Sequence, residues 1–265
     1  MLKKIIFLFS LLALVVGSTG FINPALAATV SLSSLEGGDL VRGQSLSAVY
    51  YYGDDGFRYV FPNDKTYFTW YTNFDSVKWL SDADLGKIQI GGNVTYKPGV
   101  KMIKINSDPK TYAVGEGGSL HWVTTEAIAI SLYGSDWNTK IDDVPDGFFS
   151  NYATGSDIEI VSDFVPSEET SGARDIGHDK DLNAPTYISI TDSGYSKSSV
   201  TIGVDRVVKF TNDGTTKHTA TAEDLSWGSG TLNAGDAFSR YFNEKGTYEV
   251  FCSYHSSETM TITVE

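Results

Sequence analysis

Cys252 and His255 stand in a C-x-x-H arrangement, Met260 follows five residues later, and His218 lies thirty-four residues upstream of the cysteine. A thiolate and two imidazoles, with a weak thioether or oxygen donor beyond them, are the ligand set of a type 1 (blue) copper electron-transfer centre. The ion there changes between Cu(I) and Cu(II) with little movement of its ligands, so a strand-end histidine and a tight loop carrying Cys and His are the supports it needs. Zinc is the metal-based rival, because Cys and His suit it as well. Taken singly, a buried inert thiol and a loop histidine are the ordinary readings of Cys252 and His255. Cys252 is the only cysteine, so it has no internal disulfide partner, and an unpaired thiol in an oxidising compartment needs an occupant.

The elements around these residues are short and alternating. The runs YISITD, SVTIG, DRVVKFTN, HTATA, DAFSRYF, GTYEVFC and MTITVE fill residues 187–265, separated by turn residues such as Asn212-Asp213-Gly214 and Asn233-Ala234-Gly235. Seven or so short strands with frequent turns predict a Greek-key β-sandwich over 184–265.

The stretch VKFTNDGTTKHTATAED followed by SGTLNAGDAFSRYFNEKGTYEVFCSYH resembles the cupredoxin family, most closely its small plastocyanin- and amicyanin-like members. The shared features are F-x-N before the first histidine, S-G-x-L-x-x-G-x-x-F, G-T-Y before the cysteine, and C-x-x-H. The resemblance covers nearly all of 184–265 and implies one copper ion on His218, Cys252 and His255, one-electron transfer, and His255 as the electron port. The axial position has two candidates. Met260 has the C-x-x-H-x-x-x-x-M spacing of plastocyanin-like proteins, whereas counting back from the final strand by the amicyanin pattern puts Glu258 there. The two have the same parity in an extended strand. A thioether preserves a high potential and a carboxylate favours Cu(II). Met260 is the favoured candidate, because its spacing has precedent in that family and a carboxylate beside a buried thiolate is costly.

The rest of the chain must carry or address this centre. Fifteen Tyr, fourteen Phe, five Trp and twenty-six Gly favour pleated strands and tight turns, so the whole fold is expected to be mainly β. Lys3 and Lys4 precede an apolar run over residues 5–16, and Ala25-Leu26-Ala27 has the small-x-small form of a cleavage site, so residues 1–27 read as a signal peptide. The expected location is therefore secreted, periplasmic or at a bacterial cell surface. The formal charge of −13 becomes −15 once Lys3 and Lys4 are lost. That balance disfavours nucleic acid and favours a basic or weakly charged redox partner.

Residues 37–152 hold a weak internal repeat of about fifty residues, with 53–71 echoed by 106–124, each a β-hairpin. In this reading strands end near Trp70 and Trp122, and short helices follow at 76–80 and 125–133. The half resembles a hairpin repeat of secreted and cell-surface bacterial proteins, which implies at most attachment to wall or surface polymer. Tyr50, Tyr51, Tyr52, Tyr67, Trp70 and Tyr71 could stack on sugars, although core roles are the plainer reading. His121 reads as structural and His178 as solvated. Residues 156–183 carry eight acidic residues against Arg174 and Lys180 and few apolar ones, which predicts a flexible tether. The chemistry needs no bound substrate, so the expectation is an electron carrier and no enzyme. The alternatives are a surface-binding or scaffold protein with a degenerate cupredoxin domain, and a copper-sequestering protein.

Overall fold

The computed structural model describes residues 28–265, and the expected signal peptide, residues 1–27, lies outside the described residues. Among the described residues no helix is long and apolar enough to cross a membrane. The fold is mainly β, as expected, and three sets of strands follow one another along the chain.

The first set comprises β1 (Leu40–Gly43), β2 (Tyr50–Tyr52), β3 (Arg58–Val60), α1 (Asp64–Trp70), β4 (Val77–Leu80), α2 (Asp82–Lys87) and β5 (Ile90–Asn93). The second comprises β6 (Met102–Lys104), β7 (Tyr112–Gly115), β8 (Ser119–Trp122), α3 (Glu126–Tyr133), β9 (Ile141–Asp143), α4 (Asp146–Phe149) and β10 (Ala153–Thr154). Their sheets have one topology. The order is β4-β1-β2-β3-β5 in the first and β9-β6-β7-β8-β10 in the second, with antiparallel inner pairs and parallel outer ones. Tyr50 on β2 matches Tyr112 on β7, and the helix caps Asn63 and Thr125 match in turn, an interval of 62 residues rather than about fifty. The equivalent ion pairs run in opposite senses: Lys78 of β4 holds Asp39 at 2.7 Å, whereas Asp142 of β9 holds Lys101 at 2.7 Å.

Two local expectations are overturned here. Residues 64–70 form a helix although Thr, Tyr, Phe and Trp favour strands. Asn63 accepts the Thr66 amide at 2.8 Å, and Thr66, Tyr67 and Thr69 are buried, so the cap and tertiary packing override propensity. Residues 77–80, read as helical, are instead a strand that pairs in parallel with β1 and buries Leu80. The helix over 125–133 stands as expected, with Thr125 capping Ile128. Tyr50, Tyr51 and Tyr67 are buried, which leaves them no sugar-facing surface. His121 is tied by its two ring nitrogens to Ser119 and the Ser156 carbonyl, and His178 is exposed.

The acidic segment 156–183, expected as a flexible tether to the C-terminal sandwich, is instead folded against the first two units. It carries α5 (Pro166–Gly172) and α6 (Ile176–Asp179). Ile158 and Phe164 enter the core of the second unit and Ile176 that of the first. Thr170 donates to the Pro98 carbonyl at 2.9 Å, and the Gly117 amide donates to Asp179 at 2.8 Å. At Gly99, with φ +72, an added Cβ would lie 2.0 Å from the Pro166 carbonyl oxygen, so α5 sits directly on that turn. The charge count hides three apolar residues spaced to reach two cores. Limited proteolysis is expected to spare 156–183 as long as the flanking units stay folded, and early cleavage there would contradict this packing.

The third set is a sandwich. One sheet is β12-β11-β14-β16 and the other β13-β18-β17-β15, with β11 (Thr186–Thr191), β12 (Gly194–Tyr195), β13 (Ser199–Ile202), β14 (Arg206–Asn212), β15 (Thr221–Ala222), β16 (Ala237–Phe242), β17 (Gly246–Phe251) and β18 (Thr259–Val264). Alternation on β14 explains how the sandwich docks. Val208 and Phe210 face the sandwich core while Val207 joins the core of the first N-terminal unit. Phe57 stacks on Tyr241 at 5.3 Å, and the Gln89 amide makes a two-way clasp with the Ser239 backbone at 2.6 and 3.0 Å.

Asp55, fully buried, closes this interface. It accepts the Phe57 amide at 3.1 Å and the hydroxyls of Tyr59 and Tyr241. Burial, then the Asp55 charge and hydrogen bond, push the Tyr59 phenol far above its ordinary range, so it stays a donor. Asp55→Ala should cost about 2–4 kcal/mol, because it strands buried hydroxyls as well as removing their acceptor. Denaturant unfolding of the full chain checks this, and a loss below about 0.5 kcal/mol would contradict it.

Candidate metal centre

The donors arrive from two loops at one end of the sandwich. His218 lies between β14 and β15, where it exchanges backbone hydrogen bonds with Leu232 at 3.1 and 2.9 Å. Asn212, buried at the end of β14, holds the approach to it. Its side-chain amide donates to the Thr216 and Leu232 carbonyls, both at 2.8 Å, and its oxygen accepts the Gly214 amide at 2.9 Å. Cys252, His255 and Glu258 share the turn between β17 and β18. Three backbone bonds draw that turn tight: His255 N–H to the Cys252 carbonyl at 3.1 Å, Glu258 N–H to His255 at 2.9 Å, and Cys252 N–H to Glu258 at 3.1 Å.

The two loops are locked together. The Thr219 amide donates to Cys252 Sγ at 3.4 Å, and the Ser253 amide donates to Thr219 Oγ1 at 2.8 Å. Cys252 Sγ lies 3.7 Å from His218 Nδ1 and 3.6 Å from His255 Nδ1. Glu258 Oε2 lies 3.1 Å from His218 Nδ1 and 3.6 Å from His255 Nδ1. All four donor atoms fall within 4.8 Å of one another. His218 and Cys252 are completely buried, whereas the His255 side chain is 39% exposed and that of Glu258 12%.

These residues fit a metal ion. A tetrahedral set with bonds of about 2.0 Å to nitrogen and 2.3 Å to sulfur separates N from S by about 3.5 Å, close to the spacings found. The outer hydrogen bonds agree with it. Asp192 accepts the amides and hydroxyls of Thr215 and Thr216, and these bonds, the Thr216 amide foremost, hold its carboxyl well below the usual range. With its own proton given to Asp192, the Thr216 hydroxyl accepts from His218 Nε2 at 3.1 Å. A proton on Nε2 satisfies this bond and leaves the Nδ1 lone pair for a metal ion. Tyr195 packs beside the cluster, donating to the Thr219 carbonyl at 2.8 Å; burial, with the charges of Cys252 and Glu258, pushes its phenol up.

The four sequence candidates besides Met260 thus converge. Met260 itself sits one residue into β18, buried with Ile188, Phe210 and Ile262 in the sandwich core. Glu258, the second choice on sequence grounds, reaches the cluster because it ends the turn before the strand begins. Sequence reasoning missed the locking role of Thr219 and the Thr216–Asp192 relay, since small hydroxyl residues beside a histidine carry no distinctive pattern. Asn212 was visible as the last residue of the F-x-N segment, without its task.

No protein-family model and no curated protein matches the chain. Among solved structures it is similar to a purple cupredoxin from Nitrosopumilus maritimus, 29% identical over 30% of this chain and 99% of that one, with a TM-score of 0.29. Amicyanin from Paracoccus versutus is 23% identical over 31% of this chain and 81% of its own, also with a TM-score of 0.29. A Cu-containing nitrite reductase from Thermus scotoductus is 18% identical over 31% of this chain and 23% of its own, again with a TM-score of 0.29.

Proposed function

We propose that the C-terminal sandwich binds one copper ion on His218, Cys252, His255 and Glu258 and that the protein carries single electrons. The observation that supports this is the convergence of one thiol, two Nδ1 atoms and one carboxylate oxygen within 4.8 Å. Copper, when bound, supplies a one-electron couple between Cu(II) and Cu(I). The chain supplies a cage that need not rearrange. His218 is fixed through Asn212 and Thr216, Cys252 through the Thr219 amide, and the turn carrying His255 and Glu258 through its own backbone bonds. The exposed edge of His255 is the port through which a partner exchanges the electron, and the formal charge of −13 favours a basic partner. Delivery outside the cytoplasm, and attachment of the N-terminal units to a surface polymer, complete this reading. Secretion rests on the Lys3-Lys4, apolar-run and Ala25-Leu26-Ala27 pattern.

Zinc is a second reading with an observation in its favour, because Glu258 adds a hard oxygen donor to the thiolate and imidazoles. Native mass spectrometry of the full chain with equimolar copper and zinc separates the two. One copper per chain, displacing zinc, is expected from the ordinary order of affinities. Zinc retention against copper would overturn the proposal.

A further inference from the structure

The outer face of β14 and β16 does not close completely on the N-terminal units. A cleft of about 910 Å³ remains between them, a volume that accommodates a small organic molecule. Four charged side chains line it. Lys87 is paired with Asp84 at 3.1 Å, and Asp236 accepts the amide and side chain of Asn233, both at 2.9 Å. Lys209 differs. Its side chain makes no hydrogen bond or ion pair among the described residues, and burial alone lowers its pKa.

Gly56 lies where the Lys209 ammonium and the Tyr52 hydroxyl come together. An added Cβ there would be 3.6 Å from Nζ and 3.9 Å from the hydroxyl, and Tyr52 likewise makes no side-chain hydrogen bond among the described residues. One cation and one neutral donor thus face a cleft whose apolar wall includes Leu32, Leu35 and Phe238. A half-buried ammonium without a partner is unfavourable, and an anion in the cleft relieves it. The single unbalanced charge, the apolar wall and the protein's overall −13 all disfavour a multiply charged ligand.

We infer that this cleft binds a small organic monocarboxylate, whose carboxylate meets Lys209 Nζ and the Tyr52 hydroxyl while its apolar body lies against Leu32, Leu35 and Phe238. The site shares no donor with the metal cluster and stands apart from the proposal of copper binding. It ends, however, at Leu232, whose backbone is hydrogen-bonded to that of His218, so the two sites are neighbours.

Calorimetric titration of the metal-free full chain with benzoate, and with benzamide as the neutral analogue, tests this. Saturable one-to-one binding of benzoate is expected, at least about tenfold tighter than benzamide, with a similar loss in Lys209→Met. Ala237→Trp, which fills the exposed rim of the cleft without changing charge, should block binding in a chain whose circular dichroism is unaltered. No saturable binding of benzoate, equal binding of benzamide, or unchanged affinity in both variants would overturn the inference.

Discussion

Cys252→Ser is expected to abolish the intense visible absorption of the Cu(II)-loaded protein and to weaken copper binding by several orders of magnitude. A serine hydroxyl is not ionised at neutral pH and offers a hard neutral oxygen where the cage holds a soft anionic sulfur. The band should vanish because it arises from charge transfer between that sulfur and the ion. The sandwich should persist, since Cys252, though buried, is not one of the residues packed in the sandwich core cluster, and the Ser253-to-Thr219 lock does not use the thiol. Optical titration and far-ultraviolet circular dichroism read the two effects separately. A band that survives in the variant would place the chromophore elsewhere in the chain.

The second large effect is expected at Glu258. Its carboxylate oxygen lies 3.1 Å from His218 Nδ1 inside the cluster, so with copper bound as proposed its charge would stabilise Cu(II) more than Cu(I) and hold the potential down. At an effective dielectric near 20, a unit charge within about 4 Å is worth at least about 4 kcal/mol, and partial exposure reduces that. Glu258→Gln should therefore raise the reduction potential on the order of 100 mV, using about 59 mV per tenfold change for one electron. Met260→Leu should leave the potential nearly unchanged and lower stability by less than about 1.5 kcal/mol, because it is a volume-conserving change in the core. Voltammetry of the two variants side by side decides between them. The opposite pattern would return the axial position to Met260.

The convergence of His218, Cys252, His255 and Glu258 is legible because their chemistry is rare and, His218 apart, their spacing is local. Cys252, His255 and Glu258 lie in one short turn, and a turn keeps its residues together whatever the rest of the fold does. The strands β11 and β13 to β18 are legible for a related reason: alternation with Gly, Asn and Asp between runs is enforced by the pleat, whereas the two-residue β12 is too short to show it. What escaped depends on distant partners. Asp55 in a G-D-D-G turn looks solvated until Tyr241 arrives from the sandwich to cover it. Ile158, Phe164 and Ile176 look too sparse to fold an acidic segment until two cores accept them. Aligning 53–71 with 106–124 sets Tyr59 of β3 against Tyr112 of β7, which lie on non-equivalent strands, because a shared aromatic is more conspicuous than the position of the helix caps. Residues 64–70 misled by composition, since the decisive signal was the single cap at Asn63. The sequence favours Met260 over Glu258 on its plastocyanin-like spacing and on the cost of burying a carboxylate, yet the Glu258 side chain keeps partial contact with solvent and is spared part of that cost.

The most direct measurement of the central claim is the optical and electron paramagnetic resonance spectrum of the full chain titrated with Cu(II). The account predicts an intense thiolate-to-copper visible band that saturates at one equivalent and bleaches on one-electron reduction. A chain that remains colourless at saturation, or binds copper with only the weak absorption of nitrogen and oxygen ligation, would contradict it.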